Sequence, residues 1–76
     1  MYPEYIKLAQ TAYDTVLATM LEGEATHQGN EWQMISAWEH MNHAMQHMAA
    51  SANRDTSEDH IGHAITRLAM IKVIQK

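Results

Sequence analysis

One stretch limits the fold more than any other. Residues 39–48 read E-H-M-N-H-A-M-Q-H-M, and His40, His43 and His47 recur at i, i+3 and i+7. On a helix that spacing makes a single stripe. Met34, Trp38, Met41, Met45 and Met48 recur at intervals of four and three residues and make a second stripe. At about 100° per residue the two stripes point to nearly opposite sides of the helix. A surface helix carries one apolar and one polar face, so the Met stripe, Trp38 included, is expected in the core and the histidines behind it. A polar face is usually Lys, Glu and Arg; imidazoles suit a ligand, a metal or another subunit.

Flanking segments extend the helical reading. Pro3 fits the first turn of a helix, where its missing N–H is not needed. Ile6, Ala9, Tyr13, Val16, Leu17 and Met20 then follow the helical period, with Gly23 as a C-terminal stop. Residues 22–29 read as a loop. Asn30 with Gln33 is a capping-box pattern for the second helix, and Asp55 with Glu58, or Thr56 with Asp59, marks the start of the third. On the third helix Ile61, Ala64, Ile65, Leu68 and Ile71 form the expected core stripe, and His60, His63, Arg67, Met70 and Ile74 a second stripe behind it. The expectation is an all-α single domain over residues 1–76, with helices of about 4–21, 31–52 and 57–75. Helices two and three would form an antiparallel hairpin across a short turn.

Composition narrows the function classes. The chain has 76 residues, no cysteine and a formal charge of −4. A domain this small buries too little surface to be comfortably stable alone. Its apolar residues are too many for one seam, so an oligomeric helical bundle, a homo-oligomer, is expected. Thiolate metal sites and disulfides are excluded. Five Lys and Arg residues cannot build the basic stripe that duplex nucleic acid requires. No run approaches a membrane span and no secretory signal opens the chain, so a cytoplasmic, non-membrane protein is expected.

The candidate site residues are His43, His47, His60, His63, Arg67 and Trp32. Histidines at i, i+4 (His43, His47) and i, i+3 (His60, His63) can reach one ion. A divalent metal would then use His43, His47, His60 and His63, with Asp59 as oxygen ligand or Glu39 or Asp55 in its place. The other reading has the rings bonded to carbonyls, subunits or a non-metal ligand. Arg67 suits bidentate binding of phosphate or carboxylate, against a surface salt bridge. Trp32 can stack on a ring or cover the helix start. Asp55 and Glu58 read as helix caps before chemistry.

A resemblance covers residues 43–71. Asn42-His43-Ala44, the acidic turn Asp55-Thr56-Ser57-Glu58-Asp59 and the motif His60-Ile61-Gly62-His63-Ala64 resemble a helical domain common in phage genomes and labelled dATP/dGTP diphosphohydrolase-like. That family has Arg-His-apolar where this chain has Asn42-His43-Ala44, and the paired upstream carboxylates of helical nucleotide pyrophosphatases are absent here. The resemblance implies a nucleotide-like ligand and a phage origin, acting in the host cytoplasm. The residues then point to a small oligomer that binds and sequesters a nucleotide without cleaving it. In purpose it would resemble the phage sponges that capture cyclic (di)nucleotide immune signals, an anti-defence role. Two rival readings stand beside it: a metal-dependent nucleotide (dNTP) phosphohydrolase using the His and Asp/Glu cluster, and a helical protein–protein interaction module.

Overall fold

Pro3 opens the first helix, α1 (Pro3–Glu24), which runs through Gly23 and ends one residue later, with Ala25 in the right-handed region at its cap. Gly23 is therefore an interior residue rather than a stop. The computed structural model describes residues 1–26 and 29–75; His27 and Gln28, in the expected loop 22–29, lie outside the described residues. Within them the chain is all-helical: α1, a short 3-10 turn (Glu31–Met34), α2 (Ala37–Ala52) and α3 (His60–Ile74).

The second helix begins later than Asn30 and Gln33 suggest. The Asn30 side chain caps nothing, and Ile35 is extended at φ −83° and ψ 137°. Ser36 is the stronger start, since its hydroxyl accepts from the Glu39 N–H at 3.1 Å, the Ser-x-x-Glu arrangement. At the other end α2 closes in a Schellman motif. The Asp55 N–H bonds the Ala50 carbonyl at 3.1 Å and the Arg54 N–H bonds the Ser51 carbonyl at 2.9 Å. Arg54 takes the left-handed position at φ 61°, where glycine is usual. The Asp55 carboxylate then accepts from the Ser57 N–H at 2.9 Å. Neither Asp55 nor Thr56 starts α3; Asp59 does, accepting from the Gly62 N–H at 3.0 Å.

α3 is the middle element, packed against both α2 and α1, while α1 and α2 do not meet among the described residues. By the helical angle His60, Ala64, Arg67 and Ile71 lie within about 60° of one another, and Gly62 and Thr66 lie on the other side. The first set faces α2. The second includes Gly62, where an added Cβ would overlap the Asp59 carboxylate and stand 3.0 Å from Thr15 Cγ2 of α1.

Two expected core stripes are overturned. Met34 is 88% exposed and Trp38 73% exposed, and Met41, Met45 and Met48 are exposed with them. On α3 Ile61 and Leu68 are exposed, although Ala64 and Ile71 are buried as expected. The residues inside α2 are His40 and Ala44. The reason lies in the partner helix. His40-x3-Ala44-x2-His47 and His60-x3-Ala64-x2-Arg67 have identical spacing, so small alanines sit mid-stripe and hydrogen-bonding side chains flank them on both helices. The α2 rings find hydrogen-bonding partners in His60 and Arg67 of α3, whereas the Met stripe lies on the opposite side of α2. α1 has no fully buried residue, and the Cα radius of gyration, 13.2 Å, exceeds the roughly 11 Å of a tightly packed domain this long. One chain covers only part of its apolar surface. No helix among the described residues is long and apolar enough to cross a membrane.

Candidate functional site

The α2–α3 seam is a chain of imidazoles whose protons can be placed from their partners. His40 is fully buried. An Arg67 Nη1–H donates to its Nδ1 at 3.1 Å, which leaves the ring proton on Nε2, donated to the Trp32 carbonyl at 2.9 Å. Arginine has no acceptor to offer, so this tautomer is forced. Arg67 is thereby anchored by a ring rather than by a carboxylate. Burial lowers the Arg67 pKa, and Glu39 opposes that through space without forming an ion pair.

Nearer the α2–α3 turn, His60 is buried and its Nε2 lies 3.1 Å from Asp55 Oδ2. Asp55 is held down to about 2, first by the Ser57 backbone N–H and then by the Ser57 and His60 side chains. An ionised carboxylate only accepts, so His60 Nε2–H donates to it. In that tautomer His60 accepts at Nδ1 from His47 Nδ1–H, at 2.9 Å. His47 is left with a bare lone pair on Nε2. Burial, and next the neighbouring His63 ring, lower the His47 pKa below 6.5, against the pull of Glu58. The Glu58 carboxylate accepts from His63 Nδ1–H at 2.7 Å, with His47 Nδ1 at 3.5 Å and His60 Nδ1 at 3.7 Å close by. No buried side-chain nitrogen or oxygen among the described residues lacks a partner, as a polar seam in low dielectric requires.

Beside the seam lies a cleft of about 710 Å³, a size that suits a small-molecule ligand. Leu17 and Met20 of α1 give it apolar wall, Trp32 an aromatic one, and His47, His63 and Arg67 a polar one. Glu22, Glu24 and Glu31 line it as well, and Glu22 Oε1 comes to 4.0 Å from His63 Nε2.

Of the residues singled out in the sequence, His47, His63, Arg67 and Trp32 share this cleft. Trp32 reaches it from the 3-10 turn, not from the His stripe of α2. His60 is adjacent but buried behind His47. His43 is half-buried on α2 and takes no part in the cluster, and Asp59 is engaged as the α3 cap. The carboxylate that meets the ring pair is Glu58: His47, Glu58 and His63 each offer a ligand atom within 4.8 Å of the others. Sequence reasoning gave Glu58 to capping, gave Asp55 to capping or to a metal, and left His40 unassigned. The available signal was an offset of five, which sets Asp55 against His60 and Glu58 against His63. No family model, curated protein or solved structure matches the chain.

Proposed function

We propose that the chain is a small oligomeric binding protein that takes an anionic, nucleotide-type molecule in the cleft and sequesters it in the cytoplasm without cleaving it. Arg67 carries the reading. Its guanidinium is partly desolvated, lines the cleft and bonds one neutral ring, so most of its five N–H donors are left for a phosphate. The remaining wall suits the rest of a nucleotide: Trp32 and the Leu17–Met20 surface for a base, and Glu22, Glu24 and Glu31 as acceptors for hydroxyl and amino groups. In this reading α2 and α3 form an antiparallel hairpin, supported by the pairing of His47 with His60 and of His40 with Arg67. The exposed Met34–Met48 stripe supports assembly through that face, because a contiguous apolar patch of this kind marks an interaction surface.

Calorimetry against mononucleotides, cyclic mononucleotides and cyclic dinucleotides tests the assignment. One class binds, and it is recovered intact by chromatography after incubation. Arg67→Gln, which keeps a donor for His40, weakens binding roughly 10- to 100-fold, the value of a charge-assisted contact, with helicity unchanged by circular dichroism. Binding of no class, or equal affinity in the variant, contradicts the reading.

A further inference from the structure

We propose that His47, Glu58 and His63 form a binding site for a divalent first-row transition metal, with Zn²⁺ the best match. The inference is independent of the nucleotide reading. Two imidazoles and one carboxylate are a borderline donor set that favours Zn²⁺ and its neighbours over Mg²⁺ or Ca²⁺, which want oxygen. Around a tetrahedral ion with arms of roughly 2.0–2.1 Å, ligand atoms stand about 3.3 Å apart. Here His47, Glu58 and His63 each offer a ligand atom, and the three lie within 4.8 Å of one another.

The surroundings also match what a metal histidine needs. A ligating ring donates its other N–H to an acceptor that fixes tautomer and orientation. His47 Nδ1–H donates to His60, and His60 donates to Asp55, so His47 presents an unprotonated Nε2. The three ligands come from α2, the 53–59 link and α3, so an ion would tie the two helices together and raise stability on binding. His47 and His63 line the cleft, which leaves a fourth coordination position for water or a ligand oxygen. This set differs from one built on His43, His60 and Asp59: the first stands apart, the second supports His47, and the third caps α3.

The test uses the full chain freed of metal by chelation. Zn²⁺ titration by calorimetry should give one ion per chain, with d–d absorption for Co²⁺ and a higher melting midpoint for the Zn²⁺ form. Glu58→Gln, on the exposed link, and His63→Ala should each weaken Zn²⁺ by more than the roughly 10- to 100-fold that losing an outer-shell partner costs. Asp55→Asn should fall within that range, and His43→Ala should bind as the parent does. Circular dichroism checks that each variant is helical. Absence of Zn²⁺ binding by the parent chain overturns the site. So does a Glu58→Gln loss no larger than that of His43→Ala.

Discussion

The two sides of α2 contradict the usual division of labour between polar and apolar residues. Its inner side, facing α3, carries His40 and His47 about the small Ala44, and His40 is wholly buried. Its outer side carries Trp38, Met41, Met45 and Met48, all exposed. The inner side is viable because each ring nitrogen in contact has a specific counterpart. The outer side is viable only if the apolar stripe finds cover in another chain, or tolerates water. The comparison teaches that mutual satisfaction between two helices can outweigh hydrophobicity in choosing which stripe goes in.

The sharpest way to break the comparison is to delete a member of the seam. His40→Leu fills similar space but leaves Arg67 without its acceptor and the Trp32 carbonyl without its donor. A loss of about 2–4 kcal/mol in urea denaturation is expected. If the substitution instead stabilises the chain, the polar seam is not what orders α2 against α3.

A milder perturbation is acid. The folded state holds His47 below its ordinary pKa of 6.5, chiefly by burial, so between the two values the unfolded chain binds more protons. Stability is therefore complete above 6.5 and falls as pH drops through that value toward the lowered one. Asp55 acts in a separate window: its contribution is present above 3.8 and is lost as pH falls toward about 2. In metal-free protein the denaturation midpoint should fall from about pH 7 to about pH 5, and fall less in His47→Gln. Equal slopes for the two proteins would remove His47 from the account.

The smallest effect on the single chain belongs to the outer side. Trp38→Gln should change its denaturation midpoint by no more than about 0.5 kcal/mol, while reducing association in native mass spectrometry. A large loss of chain stability would mean that Trp38 packs inward after all.

Much of this architecture was readable beforehand. Three helices followed from the periodicity around Val16, Ala44 and Ala64, whereas spacing paired His43 with His47 and His60 with His63, and His43 stands apart from the cluster. Which stripe faces inward was not readable, because a period names a face without giving its direction. The clue was the shared His40–Ala44–His47 and His60–Ala64–Arg67 spacing, which pays off only once the helices are laid together. The start of α2 was missed for a local reason: Asn30 and Ser36 both offer a cap, and the extended Ile35 between them decides for Ser36. Glu58 was missed because a carboxylate three residues after an aspartate looks like a cap.

The inward seam can be tested directly on the ring nitrogens of His40. Nitrogen-15 NMR of the folded protein should show His40 as the Nε2–H tautomer, its proton slow to exchange with water and coupled across the bond to the Trp32 carbonyl. Rapid exchange with a mixture of both tautomers would place that ring in solvent and contradict the inverted arrangement of α2.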